Sequence, residues 1–451
     1  MSRSNASPHD APPSLWRQFL QVRREERAPL ALAFAYFFFV FASYYILRPI
    51  RDALGVAGGV DNLPWLFTGT LLATLLVTPL FSALVAKLPR RRFVAWAYRV
   101  LMLCLLGFWA ALTGLSEEAQ VWVGRGFFIW VSVFNLFVVS LFWAVMADCF
   151  RGDQAKRLFA MIAAGGTVGG LVGGAITRGL VDLLGTAALL LVSIALLEAG
   201  LRCMYALSRR VATASSEQAK ADSEVIGGKL TAGYTSVLKS PYLLGVCGYM
   251  LLYTLGSTFL YFLQAEIVAG AFADRESRVA YFAQVDMLVN ALTLFIQLGL
   301  AAHIVRRLGV GWTLALLPLV SIVGFTALGL APVVFGVLVF QVARRTANFA
   351  LARPAREMLY VPLSREDKYK AKNFIDVFVY RAGDQIGAWS SAAIGALGLG
   401  IAGLAWAAAP LSAVWLLLAL WLGRRQATLQ KTADDSAASV RTTPSTAASP
   451  S

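Results

Sequence analysis

The sequence predicts an all-α polytopic membrane protein, a bundle of twelve transmembrane helices in two six-helix halves. Three observations carry that reading. The 451 residues are 58% hydrophobic and 14% charged, with a mean hydropathy of +0.66; soluble domains run about 45–50% apolar and about 25% charged. The apolar residues gather into runs of about 20, the length that crosses a hydrocarbon layer roughly 30 Å thick. The net charge of +15 is not a nucleic-acid footprint, because most of the 40 Lys and Arg fall in alternate polar breaks, on one side of the expected membrane.

Residues 1–28 form a cytoplasmic N-terminal segment with Arg3, Arg17, Arg23, Arg24 and Arg27. The apolar run that follows is too long for a signal-peptide core and lacks a small-residue cleavage site, so it reads as an uncleaved first helix. The first half, 29–207, holds spans near 29–48, 64–87, 93–114, 120–147, 158–180 and 184–207. Residues 208–239 read as a cytoplasmic linker between halves. The second half, 240–423, holds spans near 240–269, 280–305, 310–330, 332–352, 372–398 and 400–423. Residues 424–451 read as a flexible cytoplasmic tail rich in Ser, Thr and Ala.

Charge then orients the bundle. Lys87, Arg90, Arg91, Arg92 and Arg99 surround the turn after the second span, and Arg151, Lys156 and Arg157 follow the fourth. Arg306 and Arg307 follow the eighth, Arg353 to Lys372 the tenth, and Arg424 and Arg425 the twelfth. The opposite loops carry Glu117, Glu118, Glu266, Asp274 and Glu276. Positive loops stay inside, which predicts cytoplasmic termini for a multi-pass protein of a bacterial inner (plasma) membrane.

Several chemistries are excluded. Cys104, Cys149, Cys203 and Cys247 lack ligand spacing and read as packing residues, and the two histidines, His9 and His303, cannot build a metal site or a triad. There is no Walker lysine loop, so ATP hydrolysis is not the energy source. The expectation is no enzyme activity, no cofactor and no metal.

Polar residues inside spans are expensive and mark sites. Arg48, Arg51 and Asp52 stand at the outer end of the first span. They read either as interface anchors or as an anion contact or gate, since two guanidinium groups can fork onto phosphate or carboxylate. Asn135 lies in the fourth span, which ends at Asp148 before Arg151, Asp153 and Lys156. Asp286 and Asn290 make a polar stripe on the eighth, for a proton, a substrate or an arginine. Arg344 and Arg345 read as the end of the tenth, with Arg353 and Pro354 marking its exit and Arg356 following. On the eleventh, Lys372 should reach Asp376, and Arg381 should reach Asp384 or Gln385. Asp376, Tyr380 and Asp384 should share a face turned into the bundle. Asp148, Arg151, Lys156, Arg353, Arg356 and Lys372 are candidates for a cytoplasmic gate. The fifth span carries two small-residue stripes, Gly165–Gly169–Gly173 and Gly166–Gly170–Gly174, which let a partner backbone approach closely.

Two six-helix halves joined by a long cytoplasmic loop is the plan of major facilitator carriers, whose halves rock around a central site. The segments Tyr45–Asp52, Phe142–Leu158 and Lys368–Trp389 resemble the nucleotide transporter family of ATP:ADP antiporters. That resemblance implies exchange of nucleotides, ATP against ADP, through basic and acidic membrane residues. The chain departs from the family at three places. Arg51 stands where the family has a lysine before its aspartate. No glutamate accompanies Asn135, and Gly383-Asp384 stands where Gly-Lys is usual. The implied function is a secondary active transporter of a nucleotide or related organic anion, working by alternating access. The alternative is a proton-coupled major facilitator transporter of another small solute, with Asp286 or Asp376 as the coupling carboxylate. Either way the partners are a small molecule and the lipid bilayer, not nucleic acid.

Overall fold

The computed structural model describes residues 22–87, 90–150, 152–214, 240–363, 371–372 and 374–442. Most of the expected linker (215–239), the side chains of Arg151 and Lys156, and residues 364–370 lie outside the described residues. Among those described, every regular element is helical.

The helices are α1 (Arg27–Ala57), α2 (Leu63–Lys87), α3 (Arg90–Gly114), α4 (Glu117–Cys149), then a long element, Gly152–Ala214. That element breaks at Gly185, whose φ of 75° lies in the left-handed region, which glycine enters without the clash a Cβ would bring. The break yields α5 (152–184) and α6 (186–214). The second half holds α7 (Pro241–Ala271), α8 (Arg275–Gly299), α9 (Ala301–Leu330), α10 (Val334–Ala347), α11 (Tyr380–Ala396) and α12 (Gly400–Thr442). Asp274 caps α8 by accepting the Ser277 N–H at 2.7 Å; that bond holds its carboxyl below the ordinary aspartate value.

Nine helical stretches among the described residues are long and apolar enough to cross a membrane, and one of them, Arg157–Val211, is the α5–α6 pair. The chain is a multi-pass membrane protein. The other two helices are shorter because π-turns interrupt them. Asn348–Ala352 follows α10 and leads into a helical turn, Arg353–Met358, while Ile375–Val379 precedes α11.

Several boundaries differ from expectation; α6 runs to Ala214, into the expected linker. The first span does not end at Arg48: α1 carries Pro49 inside it and runs to Ala57. The eighth ends at Gly299 rather than 305; residues 301–308 form a separate turn before Gly309, at φ 71°. Pro354 does not end the tenth, because it sits in the first turn of Arg353–Met358, where a missing N–H costs no helical bond. The twelfth helix continues to Thr442, so residues 424–442, expected to be flexible, are helical.

The glycine stripes seat α5 between α1 and α8. A Cβ at Gly165 would lie 2.6 Å from the Phe34 carbonyl oxygen, and at Gly169 and Gly173 it would press still closer on the carbonyl oxygens of Phe38 and Ala42. The second stripe meets the Phe37 ring at Gly166, Tyr45 and Asn290 at Gly170, and Met287 at Gly174. Seven tryptophans are exposed at two levels. Trp65, Trp122, Trp389 and Trp406 lie near helix ends away from the termini; Trp96, Trp312 and Trp421 lie toward the other end.

Candidate functional site

A cavity of about 590 Å³ lies between the halves, lined from α1, α2, α4, α7, α10 and α11. The first half contributes aromatic rings (Phe41, Tyr44, Tyr45, Phe67, Phe128), neutral α4 groups (Ser132, Asn135) and two cations, Arg48 and Arg51. The second contributes Arg344, Arg345 and Arg353 from α10 and its extension, Tyr380, Arg381, Asp384 and Gln385 from α11, and Tyr253, Ser257, Thr258, Tyr261 and Gln264 from α7.

Six arginines therefore face one aspartate across the lining. Two further carboxylates stand behind it, each bonded to lining arginines. Asp52, buried, accepts from Arg51 at 2.6 and 2.9 Å and from the Tyr261 hydroxyl at 3.2 Å. Asp286, 2% exposed, takes Arg345 on Oδ1 at 2.6 Å and pairs the same oxygen with Arg48. Six positive against three negative leaves a formal surplus of three in a partly dry space, where burying unmatched charge is costly.

Arg344 sharpens the point. It is 3% exposed and donates to Ser321, Ser257 and the Tyr253 carbonyl at 3.1, 2.9 and 3.0 Å. Its guanidinium lies 5.5 Å from the Tyr253 ring and 5.8 Å from the Trp415 ring. These contacts hold its geometry but neutralise nothing, and among the described residues no carboxylate pairs with it.

Of the residues singled out in the sequence, Arg48, Arg51, Asn135, Arg353, Tyr380, Arg381 and Asp384 line the cavity. Asp52 and Asp286 sit directly behind lining arginines. Asn290 does not line it: its side chain packs at Gly170 and donates to the Asp286 carbonyl at 2.8 Å. Asp148 is exposed at the end of α4. The expected Lys372–Asp376 pair is absent: Lys372 bonds Glu357, and Asp376 stands 3.9 Å from Arg356. The π-turn over Ile375–Val379 explains this, since i→i+5 bonding turns residues four apart away from one face. The same turn takes Asp376 off the face that Tyr380 and Asp384 share. Arg381 and Asp384 do pair, at 3.7 Å.

Sequence reasoning placed Arg344 and Arg345 at the end of the tenth helix, where the last turn of α10 holds them, but missed that this turn forms the cavity wall. It also passed over the α7 face, although Tyr253, Ser257, Tyr261 and Gln264 recur at helical spacing within one apolar run.

Contacts between the halves gather on the face opposite the chain ends. Trp65 meets Trp389 edge-on at 4.9 Å, Thr68 donates to Gln385 at 3.1 Å, Arg275 to Gln120 at 3.0 Å and Thr186 to Glu276 at 3.1 Å. On the chain-end side the exposed Arg353 marks the edge of the cavity.

Residues 315–431 match the family model described as TLC ATP/ADP transporter. The chain is 22% identical over 445 residues to ADP,ATP carrier protein 1 of Chlamydia muridarum, covering 81% of this chain and 82% of that one. It is 22% identical over 312 residues to ADP,ATP carrier protein 1 of Chlamydia trachomatis serovar D, covering 60% of this chain and 58% of the relative, less than two thirds of its length. Among solved structures, a POT family transporter in complex with 5-aminolevulinic acid superposes with a TM-score of 0.60 at 10% identity, covering 89% of this chain and 96% of that one. The nucleoside transporter NupG gives 0.58 at 14% identity, covering 89% and 98%. The chain shares the fold of these two solved structures, and the resemblance to ATP:ADP carriers read in the sequence is borne out.

Proposed function

We propose that this chain is a secondary carrier that exchanges nucleotides of the ATP/ADP type across the membrane by alternating access. The observation that carries the reading is the unmatched positive charge of a cavity shared by both halves. Its size falls in the range of small-molecule sites, about 300–1,000 Å³. Arginine forks suit phosphate oxygens, and the tyrosine and phenylalanine rings of α1 and α2 offer faces to a base. The ADP,ATP carriers it resembles supply the nucleotide identity. Arg48, Arg51, Arg344, Arg345 and Arg381 are the proposed anion contacts, with Asn135 and Tyr380 completing the wall. The cavity edge at Arg353, together with Arg356, Lys372 and Asp148, is the proposed gate on the chain-end side. That side is assigned to the cytoplasm of a bacterial inner membrane from its basic loops.

The deciding experiment is counterflow. Purified protein in vesicles loaded with ADP should take up labelled ATP without hydrolysing it. Active vesicles that reject both nucleotides and exchange another anion would replace the substrate assignment. Asp384 carries a second reading, proton-coupled transport, because it is the one carboxylate on the cavity lining among the described residues. Proton flux measured with nucleotide flux separates the two.

A further inference from the structure

Asp286 is bonded on one oxygen only. Arg48, from the first half, and Arg345, from the second, both donate to Oδ1, while Oδ2 is buried and has no hydrogen-bond partner. A carboxylate has about four lone-pair sites and an arginine five donors, so all three groups are underused. Both arginines also line the cavity, where an incoming phosphate would meet their remaining N–H groups. Asp286 itself is 2% exposed and stands behind them, held by α8.

From this geometry we infer that Asp286 is a built-in stand-in for the substrate anion, and that its tie to Arg48 makes exchange obligatory. The inference rests on the anion-carrier reading above. In the empty carrier, the Arg48–Asp286 bond joins the halves on the inner side of the closed Trp65–Trp389 face. Opening that face separates α1 from α8, which would strand buried charges without partners. The empty carrier therefore stays where it is. A nucleotide phosphate offers both arginines a better acceptor, with several oxygens free to take forked bonds. Once Arg48 turns to the phosphate, while Arg345 of the same half keeps one N–H on Asp286 and offers its others to the phosphate, Asp286 no longer spans the halves, and the loaded carrier is free to rock. A ligand moves such an equilibrium only through its different affinity for the two states. Here that difference is the exchange of one oxygen of Asp286 for several of a phosphate. The arrangement predicts antiport without any ion gradient.

The test compares wild type with Asp286→Asn, which keeps the shape and removes the charge, and with Asp286→Glu, which keeps the charge. Uptake of labelled ATP is measured into vesicles loaded with ADP and into empty vesicles, beside equilibrium binding of ATP to the purified proteins. In wild type, loading should raise uptake at least roughly tenfold; in Asp286→Asn that ratio should fall toward one, with uptake into empty vesicles rising. Asp286→Glu should restore much of the dependence on loading. ATP binding by Asp286→Asn shows that the variant is folded, and its affinity should rise. Tighter binding with an unchanged loading ratio overturns the inference, since lost repulsion alone would produce it. Wild-type uptake that ignores loading overturns it too. If neither wild type nor variant binds ATP, the nucleotide reading falls and this inference falls with it, an outcome distinct from binding without altered coupling.

Discussion

The two halves face one cavity but are built to different standards. In the first half, α1 and α5 pack along a glycine seam so close that backbone carbonyls of Phe34, Phe38 and Ala42 rest on the stripe. A buried Tyr36–Tyr98 hydrogen bond of 2.9 Å and a Ser43–Ser193 bond of 2.6 Å add polar pins to that half. The second half presents its charges on α10 and α11, each beside a π-turn. Regular packing holds the first half as a rigid body. The irregular turns of the second spend helical regularity to aim side chains, a use common at functional sites.

The largest effect that would break this contrast is expected at the seam. Gly169→Leu must push α1 away or fail to pack, a cost of about 1–3 kcal/mol or more. The expected outcome is a sharp drop in thermal stability of the purified protein; unchanged stability and transport would remove the rigid-seam claim. Next comes Arg344→Gln, which deletes a buried cation already fixed by neutral partners. Losing a charged hydrogen bond costs about 1.5–3 kcal/mol, so ATP affinity measured by calorimetry should fall roughly 10- to 100-fold while the melting temperature holds or rises. Arg51→Lys keeps the charge but loses the fork onto Asp52. A loss of about 1 kcal/mol in nucleotide affinity is expected, and none if Arg51 only anchors the helix. Asp376→Asn should matter least. Its partner Arg356 is 3.9 Å away and its own side chain is one-third exposed, so about 0–1 kcal/mol is at stake. Nucleotide exchange should stay near wild type, and its loss would return Asp376 to the transport cycle.

The sequence discloses most of this architecture because bilayer thickness and loop charge act on composition and span length alone. The residues that line the cavity were legible wherever charge interrupts a span, as at Arg48, Arg51, Arg381 and Asp384. Legibility failed at the π-turns. Helical spacing paired Lys372 with Asp376 and set Asp376 on the face of Tyr380, but i→i+5 bonding changes which residues stack. Apolar pattern carries no sign of that change. Asp286 is an intermediate case: the sequence offered an arginine as one possible partner, but only the tertiary fold brings two of them from opposite halves.

The exposed tryptophans set how the molecule sits in lipid. On α12, Trp406 and Trp421 are fifteen positions apart, which at about 1.5 Å per residue is roughly 22 Å along the helix. Indole rings settle at the headgroup boundary, and a typical hydrocarbon core is about 30 Å thick. To meet both rings, the bilayer beside α12 thins or the indoles reach outward toward the headgroups, at a cost that grows with each ångström of mismatch. Membranes of shorter acyl chains fit this face with less distortion, so lipid chain length sets a mechanical load on the helix that closes the second half.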